Sequence, residues 1–354
     1  MKPASTLKLV LVLWMVINFH DSLNLLSKIS LHRFINAWKI LSSYYWSRIT
    51  GKPVVAGLPI SISIEPTTFC NLRCPECPSG FRSFTRPTGM LQEDLFKKVI
   101  EESAETLLYL LLYFQGEPYL HPKFFELVQF ATKKNIYSAT STNAHYLTKE
   151  FAEKTVTSGL DRLVISIDGT TQSTYESYRV GGKLEKVIEG TKNLIEARKR
   201  LHSKTPYIVF QFLVVKPNEH QVEDVKQLGK ELGVDKVAFK TAQVYNYENG
   251  NALIPTIQKY SRYKKNKESK YSIKSQLYNH CWKMWHGTVV TWDGLVVPCC
   301  FDKDAEHQFG SVAKEPLKNI WNNTRYTAFR SALLRSRKEI DICKNCTEGT
   351  KIWA

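Results

Sequence analysis

Between residue 60 and about residue 245 the chain alternates short β-rich apolar runs with longer stretches of helical periodicity. The runs are Ile60–Ile64, Leu107–Phe114, Tyr137–Ser141, Arg162–Ile167, Tyr207–Val215 and Lys236–Phe239. Helical spacing occupies residues 91–104, 122–134, 148–158, 184–201 and 219–232. A strand repeats its environment every two residues and a helix every 3.6, so the two patterns separate cleanly. Six runs divided by five helical stretches predict a parallel α/β sheet, closed or partly closed. Neither a dinucleotide-type G-x-G-x-x-G nor a phosphate-loop G-x-x-x-x-G-K is present.

Upstream the pattern changes. Leu9 to Ile17 is a nine-residue apolar run preceded by Lys2 and Lys8. It lacks the small-residue cleavage site of a signal peptide and is about half the ~20 residues that a membrane span needs. Leu31, Phe34, Ile35, Trp38, Leu41, Tyr45 and Ile49 then recur at helical spacing, interleaved with Arg33, Lys39 and Arg48. Such a stripe suits a helix lying in a membrane interface, and equally a helix packed on the domain behind it. Residues 1–56 are therefore an apolar, basic helical extension, with peripheral membrane contact as one expectation.

With 354 residues and 43% hydrophobic composition the chain can bury a core, which excludes general disorder. Its formal net charge of +16 favours acidic partners. Much of that charge sits in KYSRYKKNKESKYSIK at 259–274, read as a solvated linker or an exposed helix. The expected domains are the extension at 1–56, the α/β core at 57–250, a basic linker at 251–280 and a small cysteine-rich unit at 281–354.

In parallel α/β architectures the chemistry gathers where strands end. After the first run comes EPTTFCNLRCPECPSG, after the second Gln115-Gly116-Glu117-Pro118, after the third Thr142-Asn143-Ala144, and after the fourth Asp168-Gly169. The eight cysteines form two groups, Cys70, Cys74 and Cys77, then Cys281, Cys299, Cys300, Cys343 and Cys346. Three thiols within eight residues cannot all pair locally, so metal ligation fits better than disulfides, and it implies a reducing compartment. A structural zinc at the first group wants a fourth ligand, which only His121 or His145 could supply. A four-iron cluster on three thiolates instead keeps one iron open to a small chelating molecule.

CNLRCPEC at 70–77 resembles the signature of radical S-adenosylmethionine (SAM) enzymes. The resemblance implies a partial (β/α)6 TIM-like barrel whose 4Fe–4S cluster, on Cys70, Cys74 and Cys77, binds SAM and cleaves it to a 5′-deoxyadenosyl radical. YFQGEP at 113–118 is similar to the family's glycine–glutamate motif, with Gln115 in place of its commoner first glycine. STN at 141–143, SIDG at 166–169 and YESYRVGGKLEKVIEG also look like segments of this superfamily. By resemblance Gly116, Glu117, Asn143, Ser166 and Asp168 are the SAM-binding candidates. Each has an ordinary alternative: Glu117 as a loop carboxylate, Asn143 as a turn residue, Ser166 as a buried hydroxyl, Asp168 as a helix cap. Glu76 departs from the pattern, since an aromatic residue commonly precedes the third cysteine.

In the C-terminal unit the Trp292-Asp293-Gly294 turn predicts a hairpin carrying Cys299 beside Cys281, and the final C-x2-C closes a four-thiolate set. On coordination alone such a set suits an iron–sulfur cluster or a structural zinc. DGLVVPCCFD and the segment after it resemble the SPASM or shorter twitch extension of radical SAM enzymes. That implies one auxiliary 4Fe–4S cluster on Cys281, Cys299, Cys343 and Cys346, with Cys300 as the alternative to Cys299. The expected activity is reductive SAM cleavage and hydrogen abstraction, for an oxidation or other modification of a peptide, sugar or lipid headgroup. A flavodoxin or ferredoxin is the expected electron donor, and the expected location is cytoplasmic, peripheral to the inner face of the membrane. The competing class is a non-catalytic zinc protein that binds nucleic acid or protein, for which the early triad lacks an obvious fourth ligand.

Overall fold

The computed structural model describes residues 20–347. The apolar run Leu9 to Ile17 lies outside them. Six strands follow the predicted runs: β1 (Ser61–Ile64), β2 (Tyr109–Leu111), β3 (Tyr137–Thr142), β4 (Arg162–Ser166), β5 (Tyr207–Val214) and β6 (Lys236–Thr241). They pair in chain order, every pair parallel. Preceding them are α1 (residues 20–27) and α2 (Leu31–Thr50), and between them run α3 (Pro78–Phe81), α4 (Glu93–Ser103), α5 (Phe124–Lys133), α6 (Lys149–Thr157), α7 (Gln172–Tyr178), α8 (Leu184–Arg200) and α9 (Val222–Leu232). Helix-connected parallel strands are covered on both faces, and β3 accordingly is buried at five of its six positions. Ile62, Ile64, Leu110, Ile165, Phe210 and Phe212 are fully buried, each worth about 1.5–3 kcal/mol in removed apolar surface. The fold is a partial TIM-like barrel.

Toward the C-terminus come β7 (Tyr263–Lys265), β8 (Tyr271–Ile273), α10 (Lys283–His286), β9 (Gly287–Val290), β10 (Leu295–Val297), β11 (Gly310–Ser311), α11 (Leu317–Trp321), α12 (Thr324–Ser336) and α13 (Asp341–Lys344). The nine-stranded sheet has the order β11-β10-β9-β1-β2-β3-β4-β5-β6, so the cysteine-rich unit continues the barrel's own sheet. β9 pairs in parallel with β1 and antiparallel with β10. The predicted hairpin turn forms between β9 and β10, with Gly294 at φ +87, where a side chain is strained. Most of the basic stretch at 259–274 is not the helix that was one expectation for it. It folds as the antiparallel β7–β8 pair. Buried Tyr263 explains this, because its hydroxyl accepts from Val244 N and donates to Asn345 Oδ1, while Lys264 and Lys265 face water.

The N-terminal helices lie across the end of the barrel where strands begin. Arg33 donates to the carbonyls of Lys28, Asn135, Ala104 and Lys134, capturing the orphan carbonyls that close α4 and α5. Asp21 accepts from Tyr137 and Arg162, and Asn24 from α1 donates to Asp161 at 2.7 Å. The face of α2 that meets the barrel carries Arg33, Asn36, Ile40, Ser43, Tyr44 and Ser47, and the predicted apolar stripe points away from it. Among the described residues no helix is long and apolar enough to cross a membrane.

Candidate active site and second thiolate cavity

At the opposite end of the strands, the loop after β1 winds Cys70, Cys74 and Cys77 around one cavity of about 40 Å³. Gly116, Glu117, Asn143 and Ser166 line the same cavity, with Tyr113, Ser79, Thr142 and Arg179. The loop closes tightly because Gly80 passes against it: a Cβ there would stand 2.5 Å from Cys74 O. Gly116 has φ +72, and a Cβ on it would meet Thr67 O at 2.3 Å, so only glycine fits this turn. Its amide donates to Ser79 Oγ at 2.9 Å, and the next amide, Glu117 N, donates to Phe69 O at 2.7 Å. The strand-2 loop is thereby locked to the cysteine loop.

Glu117 is 2% exposed and accepts from Thr142 Oγ1, Asn143 N and Tyr119 N. Burial outweighs those donors and pushes its carboxyl up to about 7. Asn143 donates through Nδ2 to Asn71 Oδ1 at 2.8 Å, so it serves both its turn and the cysteine loop. Asp168 is brought close but not onto the cavity wall. It is fully buried, accepting from Arg179 Nε at 2.5 Å and Leu213 N at 2.6 Å. Nor does it cap α7, whose N-cap is Thr171. Asp168 holds Arg179, and Arg179 reaches Cys74 Sγ at 3.8 Å. Sequence reasoning missed Arg179, although it stands inside the YESYRVGG segment already singled out. The Glu76 side chain turns away to accept from Tyr245 N at 2.7 Å.

Both histidines weighed as a fourth ligand are committed elsewhere. His121 pairs with Leu91 O at 2.9 Å and accepts from Lys123 N, while His145 pairs with Asn143 and accepts from Lys183 N at 2.8 Å. The triad is left as a three-thiol set beside a buried carboxyl, which fits a cluster with one open iron. Burial pushes the Cys70 thiol up to about 12 and raises Cys74 as well, so metal uptake at this site must displace protons.

A second, smaller cavity of about 20 Å³ is lined by Cys281, Cys299, Cys343 and Cys346 with Phe301, Phe329 and Arg337. The hairpin delivers Cys299, α10 follows Cys281, and α13 carries Cys343. Cys300 is exposed and outside this lining, with Lys283 Nζ 3.7 Å from its sulfur. Arg337 donates to Cys346 Sγ at 3.3 Å and to His280 O at 3.2 Å. The last C-x2-C is tied back to the barrel, since Asn345 Nδ2 donates to Val244 O at 2.7 Å and Arg262 donates to Asn345 O at 2.9 Å. Among the described residues no three Cys, His, Asp or Glu side chains converge as around a single ion.

Comparison with known proteins agrees with this geometry. The radical SAM superfamily model matches residues 64–238, and the iron–sulfur cluster-binding SPASM model matches residues 281–347. The tungsten-containing aldehyde ferredoxin oxidoreductase cofactor-modifying protein of Pyrococcus furiosus is 27% identical over 299 residues, 75% of this chain and 82% of that protein. The AdoMet-dependent heme synthase of Methanosarcina barkeri is 26% identical over 298 residues, again 75% and 82%. In fold, Streptococcus suis SuiB bound to the precursor peptide SuiA superimposes with a TM-score of 0.61 at 14% identity, covering 82% of this chain and 72% of that one. The zinc-protein reading gives way to these matches. With one thiolate cavity at the strand ends and a second in the C-terminal unit, the chain belongs to the radical SAM superfamily, with a SPASM domain at its C-terminus.

Proposed function

We propose that this protein abstracts a hydrogen atom from a peptide substrate and that the net reaction is an oxidation. The observation that carries the proposal is the single cavity shared by Cys70, Cys74 and Cys77 with Gly116, Glu117, Asn143 and Ser166. When bound there, a 4Fe–4S cluster with SAM supplies one-electron cleavage to methionine and a 5′-deoxyadenosyl radical. The three thiols hold the cluster and leave one iron to SAM. Glu117 and the backbone of the Gly116 turn take the SAM ammonium, Asn143 and Ser166 line the rest of the molecule, and Arg179 sets charge beside Cys74. Asp168 acts through Arg179 as a positioning residue.

Cys281, Cys299, Cys343 and Cys346 hold the auxiliary cluster, with Cys300 outside it. With four thiolates as ligands, a cluster bound there would leave no iron open to substrate and would supply an electron acceptor. A cavity of about 450 Å³ beside the cysteine loop, lined by Phe69, Arg82, Phe84 and Thr88, offers the mixed aromatic and basic wall a peptide side chain would use. SuiB, solved with a precursor peptide, supports the same class. The basic surface suits an acidic flavodoxin or ferredoxin as reductant.

The test is anaerobic: count iron and sulfide per chain, add SAM and dithionite, and measure 5′-deoxyadenosine with and without candidate peptides. About eight irons with deoxyadenosine formation establish the two clusters and the radical chemistry. A peptide that raises turnover and loses mass by two hydrogens supports the substrate class. Turnover stimulated only by a tetrapyrrole or a metal cofactor precursor overturns the peptide reading, in line with the Methanosarcina and Pyrococcus relatives.

A further inference from the structure

Helix α2 wears its amphipathic character inside out. A surface helix ordinarily turns its apolar stripe inward and its polar face to water. Here the inward residues are Arg33, Asn36, Ile40, Ser43, Tyr44 and Ser47, five of the six carrying a polar atom. Their hydrogen bonds are made by the barrel and its connecting loop: Arg33 to four carbonyls, Asn36 to both N and O of Leu58, Ser47 to N and O of Val54. Docking of this helix is thus largely polar, with Ile40 and Tyr44 as its apolar contacts to the core. Most of its large apolar residues are on the other side: Leu31, Phe34, Ile35, Trp38, Leu41, Tyr45, Trp46 and Ile49 are exposed, Trp38 by 63% and Ile49 by 80%. At about 100° per residue they fill an arc of roughly 140° along a helix roughly 30 Å long. Leu23, Leu26 and Ile29 extend the band toward the N-terminus. A patch of that size on a water-facing surface marks a partner.

Charge and sequence identify the partner. From Met1 to Ile64 the only acidic residue is Asp21, which is buried on Arg162, against seven Lys or Arg. Lys39 and His32 border one side of the apolar arc and Arg48 the other, while Trp38, Tyr45 and Trp46 supply rings that settle at headgroup depth. The thirteen residues 7–19, immediately before α1, contain a single charge, Lys8. An apolar arc interrupted only by Ser42 and bordered by Lys39 and Arg48, with no acidic residue on the helix, matches an anionic lipid surface.

We infer that the outward face of α2 rests on an anionic membrane surface and holds the enzyme there. The fold then sets an orientation. Arg33, Asp21 and Asn24 grip the ends where β2, β3 and β4 begin, and the cysteine loop leaves the opposite end of β1. The active cavity therefore opens away from the lipid, and substrate arrives from the aqueous side rather than out of the same leaflet.

The experiment is sedimentation of the full, cluster-loaded chain with vesicles of equimolar phosphatidylglycerol and phosphatidylcholine, and with phosphatidylcholine alone. Trp38→Glu and Ile49→Glu are compared with wild type, iron content and SAM cleavage serving as controls for folding. Salt-sensitive binding to the anionic vesicles, weakened by about tenfold or more in either variant with iron content unchanged, is the expected result. The inference is overturned by a wild-type chain that ignores both vesicles, or by variants that bind like wild type, which would leave the contact to residues 1–19 alone. It is equally overturned if the wild type self-associates in solution and the variants merely make it monomeric, which would make the face an interface between copies.

Discussion

Arg86 grips Glu65 with both terminal nitrogens, Nη1 to Oε2 at 2.9 Å and Nη2 to Oε1 at 2.6 Å. Glu65 is the residue after β1, Arg86 lies beyond the cysteine loop, and both are buried. Trp292 N also donates to Glu65, and Arg86 Nε donates to Lys303 O, so this one pair joins barrel, cysteine loop and SPASM domain. Burial raises the Glu65 carboxyl against the pull of Arg86. Removing one partner of a buried pair strands the other's charge. Arg86→Ala should therefore cost about 3–5 kcal/mol, read as a lowered urea midpoint in the apo-protein. An unchanged midpoint would show that the pair contributes nothing to holding the two units together.

Glu117 should make SAM binding depend on pH. Its folded value of about 7 lies above the ordinary 4.5, because burial favours the neutral acid. Stability from this group is fully present below 4.5 and is lost as pH rises through about 7. A bound ammonium reverses the preference, so SAM uptake near neutrality releases a proton. Affinity should climb with pH up to about 7 and level off above it. Calorimetry in buffers of different ionisation heat reads that proton directly. In Glu117→Gln the proton release should vanish and affinity should fall by at least tenfold, about 1.4 kcal/mol.

Cys343→Ala and Cys300→Ala should part company. The first should lose about four irons per chain while deoxyadenosine formation persists without substrate oxidation. The second should keep all of its iron, since Cys300 is exposed outside the cavity. Iron loss in Cys300→Ala with retention in Cys299→Ala would reverse the assignment of that pair.

Gly116→Ala places a Cβ 2.3 Å from Thr67 O on a backbone at φ +72. Strain in that region costs about 1–3 kcal/mol, and the clash adds to it. The turn must shift, carrying Glu117 with it. Weaker SAM binding with iron content unchanged is the expected outcome, measured by equilibrium dialysis.

How much of this was legible beforehand differs from residue to residue. Periodicity located β1 to β6 because helix-covered parallel strands are continuous apolar runs, and spacing located the cysteines because thiol ligands must cluster. Arg179 escaped because its role depends on meeting Cys74 from 105 positions away. The Leu31–Ile49 stripe was visible, but periodicity says only that a helix has two faces. Which face meets the core was decided by Arg33 and Asn36 finding carbonyl and amide partners. In 259–274 the lysines dominated the reading, whereas buried Tyr263 determined the structure. Cys299 and Cys300 are neighbours in sequence and differ only in which side of the post-hairpin turn they occupy.

The parallel pairing of β9 with β1 means that neither unit can be shed alone. Ser61 to Ile64 have β2 on one flank and β9 on the other. Cutting the chain before residue 281 would unzip one whole side of β1 and turn a central strand into a bare edge, open to pairing with any other chain. A truncated barrel would thus be an aggregation template at the strand that launches the cysteine loop. Gain or loss of the auxiliary cluster in such a lineage has to proceed by altering cysteines within the domain, because deletion of the domain removes solubility together with the cluster.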